Sequence, residues 1–179
     1  ISPLYFRHGE FLDRLVETLV HSRCDPSALI VEVTEGVLIS DVAAARESID
    51  HLRALGIAVY LDDFGTGYSS LSYLQNFDLD GMKLDRSFIQ KLGHSDKAAR
   101  ITRTMIDFGH GLDMEVVVEG VESEWQAGFL QLQGCDYLQG YAIGLPMSLA
   151  DFRNKMAELE IGGGASYSAG PAAAAGATR

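Results

Sequence analysis

Residues 57–70 read IAVYLDDFGTGYSS. An apolar run ends in two adjacent carboxylates, Asp62 and Asp63, and then breaks into a glycine-rich turn, Gly65-Thr66-Gly67. Paired acids at the end of a strand pack poorly, but they suit a hard divalent cation, which prefers carboxylate oxygens. The other polar clusters of the chain can therefore be judged by whether they converge on this one.

Working outward, residues 28–35 (ALIVEVTE), 81–85 (GMKLD), 115–119 (EVVVE) and 137–140 (YLQG) also read as strands. Helical spacing of apolar residues marks 10–22, 41–55, 95–110, 122–132 and 148–160. Ser40 or Asp41, Ser95 and Ser148 stand where N-caps belong, and Gly56 and Gly134 where helices stop. A short helix is expected around 69–76 and a helical turn over 87–92. Strands that are apolar nearly throughout and alternate with helices predict α/β architecture with a parallel sheet.

Two α/β forms compete, and the polar residues decide between them. Glu32, Thr34 and Glu35, then Asp62 and Asp63, then Lys83 and Asp85, then Glu119, then Gln139 lie at or near the carboxyl ends of successive strands. In a barrel those ends meet at one mouth, whereas an open sheet would spread them along an edge. Alternation puts Glu32 and Thr34 on one face, and Lys83 and Asp85 on one face. Acids that crowd one lysine inside a barrel need a divalent metal to balance them.

Composition sets bounds. The 179 residues carry a formal charge of −11, with acids outnumbering Lys and Arg 25 to 14, which argues against duplex nucleic acid. Cys24 and Cys135 are too far apart to suggest a zinc site, and a reducing cytoplasm fits best. No apolar run approaches the roughly 20 residues of a membrane span. The five histidines lack metal-ligand spacing and are read as surface or packing residues. Trp125 and most Phe and Tyr residues are read as core, Glu122 and Glu124 as first-turn helix charges. Residues 161–179, rich in Gly, Ala and Ser, are expected to form a disordered tail after a domain spanning 1–160. Gly65-Thr66-Gly67-Tyr68-Ser69-Ser70, with Asp85 twenty residues beyond Gly65, imitates a dinucleotide-binding fingerprint. The third glycine is a serine, however, and Asp62-Asp63 would repel a pyrophosphate.

DDFGTGYSSLSYL (62–74), with EVTE (32–35), KLDRSF (83–88), EGVE (119–122) and QGY (139–141), resembles an EAL domain. That resemblance implies a modified TIM barrel that hydrolyses cyclic di-GMP to linear pGpG with two Mg²⁺ or Mn²⁺ ions. By the same resemblance Glu32, Asp62 and Asp63 are metal ligands, with Asp62 bridging. Lys83 orients the attacking water, Glu119 is a ligand or general base, and Asp85 and Gln139 support the water network. Glu35 pins the loop of Gly65, Thr66 and Gly67, which couples metal binding to homodimerisation, and Tyr141 and Pro146 contact substrate. The resemblance further implies a sensory or diguanylate cyclase domain upstream. The chain lacks the Glu-Ala-Leu motif that names the family and the Asn expected before Ile1, and carries Leu145 where relatives have Arg or Lys. The barrel is therefore expected to lack its first strands, and the fragment to be inactive alone and poorly stable. The alternative reading is a non-catalytic receptor or scaffold of the same family.

Overall fold

The computed structural model describes residues 10–65 and 71–161, except the side chains of 71–73 and 159–161. Thr66, Gly67, Tyr68 and residues 162–179 of the tail expected over 161–179 lie outside the described residues, whereas Ile161 is helical. The chain divides into two compact units, Ile1–Ile143 and Gly144–Arg179.

The first unit is α/β. Helix α1 (Glu10–Ser22) is followed by strand β1 (Ile30–Thr34), helices α2 (Glu35–Ser40) and α3 (Val42–Ala54), and strand β2 (Ala58–Phe64). Then come β3 (Gly81–Leu84), α4 (Asp96–His110), β4 (Glu115–Val118), α5 (Glu124–Leu132) and β5 (Tyr137–Leu138). Single 3₁₀ turns precede β1, at Pro26–Ala28, and follow β3, at Arg86–Phe88, and a longer 3₁₀ segment spans Leu71–Asn76. Side chains supply the starts: Asp41 accepts from the Ala44 N–H, Ser95 from Ala98, and Ser123 from Gln126 in a full capping box.

The described strands form one parallel sheet in the order β1-β2-β3-β4-β5. Each strand pairs with the next in sequence, so no switch point of the doubly wound kind occurs, and the arrangement is that of a barrel wall. Val31, Val33, Val59, Leu61, Met82, Leu84, Val116 and Val118 line one face and are buried. Against it lie α2 on β1 and β2, α3 on β2, and α4 on β3 and β4. Ile49, Leu52, Ile106 and Leu130 complete that core from the helices, all without measurable exposure.

The opposite face is polar. Register places Glu32 beside Tyr60, Tyr60 beside Gly81, and Gly81 beside Glu115, with Thr34 beside Asp62 and Lys83 beside Val117 one step further along. Tyr60 packs flat on Gly81, where a Cβ would fall 2.5 Å from its ring, and its hydroxyl donates to Glu115. Burial, then that hydrogen bond and the Glu115 charge, push the Tyr60 hydroxyl well above its ordinary value.

Three expectations change in detail. The segment after β1 enters the short helix α2, which periodicity did not reveal. Glu122 precedes the Ser123 cap rather than lying in the first turn of α5, and its N–H donates to the Gln126 amide oxygen. Trp125 is 56% exposed and stacks on Phe129 instead of entering the core, because its position on α5 faces away from the sheet-side residue Leu130.

In the second unit helix α6 spans Leu149–Ile161. The Ser148 hydroxyl accepts from the Asp151 N–H and donates to the Asp151 carboxylate, the expected cap. No helix among the described residues is long and apolar enough to cross a membrane.

Candidate active site

The site begins with Lys83, in the middle of the sheet and buried. Its Nζ donates to Glu32 Oε1 at 2.8 Å, Asp62 Oδ1 at 3.3 Å and Glu119 Oε1 at 2.6 Å. Three acids from β1, β2 and the end of β4 thus meet one ammonium from β3. Burial alone would lower the Lys83 pKa, but hydrogen bonds to Glu119 and Glu32, with the Glu119 and Asp62 charges, outweigh it and raise it.

Asp63 joins the group by an irregularity. Adjacent residues of a regular strand point to opposite faces. Between Leu61 and Phe64, however, β2 advances one residue more than β3, and Asp63 adopts φ 55°. This bulge turns both carboxylates the same way, so that Asp62, Asp63 and Glu119 each offer an oxygen within 4.8 Å of the others. The Asp63 N–H donates to Asp62 Oδ1 at 3.0 Å. Partial desolvation, then the Asp62 and Asp85 charges, hold the Asp63 carboxyl above its usual range. Four carboxylates therefore face one ammonium, and the donor set fits a hard divalent cation.

Glu35, the first residue of α2, is buried and accepts from the Gly65 N–H at 3.1 Å, tying α2 to the loop after β2. Asp85 does not bind Lys83: its carboxylate accepts from the Ser87 N–H at 2.9 Å, capping the turn after β3. Although burial opposes it, that contact and the Ser87 hydroxyl hold Asp85 below the usual carboxylate range. Gln139 joins the rim through its backbone, donating to Val118 and accepting from Val121, with its side chain exposed. Tyr141 is 68% exposed in the same unit, whereas Pro146 belongs to the second unit.

Phe88 was missed by sequence reading. It lies against Gly65, and only the folded backbone discloses the contact. Glu115, held by the Tyr60 and Tyr137 hydroxyls on the polar face, was likewise read as a plain strand residue.

Comparison with known proteins identifies the family of the chain. The family model described as EAL domain matches residues 1–146. The chain is 44% identical over 147 residues to an uncharacterized signaling protein of Caulobacter vibrioides, covering 82% of this chain and 18% of that protein. It is 40% identical over 147 residues to the bifunctional diguanylate cyclase/cyclic di-GMP phosphodiesterase MucR of Pseudomonas aeruginosa, covering 82% of this chain and 22% of that protein. The chain thus spans about a fifth of the length of these curated relatives. Among solved structures, the PaMucR phosphodiesterase in its c-di-GMP complex superposes with a TM-score of 0.79 at 39% identity, over 85% of this chain and 62% of that one. The EAL domain of Mycobacterium smegmatis DcpA gives a TM-score of 0.83 at 30% identity, over 88% and 71%. A sequential parallel sheet whose carboxyl ends gather acids around one lysine, together with this match over most of its length, makes the chain a member of the EAL domain family.

Proposed function

We propose that the protein carrying this chain hydrolyses cyclic di-GMP to linear pGpG with two divalent ions, Mg²⁺ or Mn²⁺. The observation that carries the reading is the meeting of Glu32, Asp62 and Glu119 at Lys83, with Asp63 turned into the same cluster. Glu32, Asp62 and Asp63 are the residues that would hold the ions. Bound there, divalent cations supply the charge that neutralises the phosphodiester and lowers the pKa of a water.

Lys83 has three N–H donors, each now facing a carboxylate. With the ions held by Glu32, Asp62 and Asp63, Lys83 would orient the attacking water. Glu119, beside Lys83, then takes the proton from that water as general base, or serves as a ligand. Asp85 and Gln139 at the rim would support the water network, and Tyr141 would contact the nucleotide. Glu35, with Gly65, Thr66 and Gly67, sets the loop through which the domain would form a homodimer. The domain would occupy residues 1–160 of a cytoplasmic signalling protein with a sensory or diguanylate cyclase domain upstream.

The test is incubation of the complete protein with cyclic di-GMP and Mg²⁺. pGpG should form, and Lys83→Ala or Glu119→Ala should abolish it. Turnover that survives either change contradicts the assigned roles, and nucleotide binding without turnover would favour a non-catalytic receptor.

A further inference from the structure

We infer that Phe88 is a positioning residue that fixes the Asp62-Asp63 pair by clamping Gly65 against Glu35. This rests on the metal-site reading above and adds a residue to it. Gly65 has φ 93°, and a Cβ on it would lie 2.3 Å from two atoms of the Phe88 ring, so ring and backbone touch with no room for a side chain. The Gly65 N–H is meanwhile committed to the buried Glu35 carboxylate. The residue just beyond the β2 bulge is thus held by a hydrogen bond to Glu35 of α2 and by an aromatic ring from the turn after β3.

Phe88 is itself anchored. Its N–H donates to the Asp85 carbonyl at 3.1 Å, and its carbonyl accepts from the fully buried Thr102 hydroxyl at 3.1 Å. Asp63 needs such support, because a left-handed non-glycine residue persists only where its surroundings over-determine it. Without the ring, Asp63 can relax toward ordinary strand backbone, and its carboxylate then leaves Asp62 and Glu119.

The test uses the complete protein carrying this chain with Phe88→Ala, Phe88→Leu, and Phe129→Ala as a control that loosens packing beside Trp125 instead. Hydrogen exchange at the Gly65 amide is read without metal, and Mn²⁺ affinity by calorimetry. Phe88→Ala should speed Gly65 exchange, and should weaken Mn²⁺ binding about tenfold or more, as loss of an orienting contact does. Phe88→Leu should fall between it and the unaltered chain, and Phe129→Ala should leave both readouts unchanged. Gly65 exchange in Phe88→Ala that matches the unaltered chain, or rises no more than in Phe129→Ala, overturns the role of Phe88. An unaltered complete protein that takes up no Mn²⁺ defeats the metal reading instead, and Gly65 exchange still decides on Phe88.

Discussion

At Lys83 a buried ammonium is balanced by carboxylates instead of water. Lys83→Met would leave Glu32, Asp62 and Glu119 facing one another without a counter-charge. Breaking a buried pair costs about 3–5 kcal/mol, but the Glu32 side chain is 44% exposed, and solvent screening should bring the loss to about 2 kcal/mol. Urea denaturation in EDTA measures it, and an unshifted midpoint would contradict the account. Tyr60 gives a prediction in pH. Its folded-state pKa is raised, so its contribution to stability is fully present below the unfolded value of about 10 and is lost as pH rises through the folded one. Lys83, also raised, acts in the same alkaline window with the same sign. Tyr60→Phe should therefore flatten the alkaline loss of stability only in part. In the unaltered chain, phenolate absorbance from Tyr60 should appear only with unfolding.

At the scale of elements, β2 and β3 complement each other through absence: Tyr60 occupies the space that a side chain at Gly81 would fill. Gly81→Ala should displace the ring, break its bond to Glu115, and cost about 1–3 kcal/mol as overpacking does. Early phenolate titration of Tyr60 in that variant would confirm the displacement, and a late one would refute it. The elements also show what could be read in advance. The pair Ser40-Asp41, of which the structure uses Asp41, and Ser95 declared α3 and α4 because caps are local chemistry. The helix α2 did not declare itself, since Gly36, Val37 and Ile39 are poor helix formers and burial of Val37 and Leu38 holds them there. Nor did the bulge at Asp63. Aspartate tolerates a left-handed backbone, but nothing local demands one, and the supports, Glu35 and Phe88, come from other segments.

For the molecule as a whole, strand order was legible because every strand of an α/β chain here ends in a polar group, and only a sequential sheet brings those ends together. The lower part of the polar face, with Tyr60, Glu115 and Tyr137, was not, since each looks like an ordinary strand residue until register aligns them. Charge acts at this scale too. A formal charge of −11 means that any salt should relieve self-repulsion, so stabilisation by MgCl₂ alone would say nothing about a site. The comparison that isolates the site holds ionic strength equal with NaCl. A cation bound by the folded chain only should add about 2.7 kcal/mol at a hundred times its Kd, over and above the NaCl effect. Asp62→Asn with Asp63→Asn should erase that difference while keeping the NaCl response, because screening depends on overall charge and binding on these two carboxylates. Equal melting temperatures in MgCl₂ and NaCl for the unaltered chain would mean that the acids on the sheet are balanced by Lys83 and solvent alone.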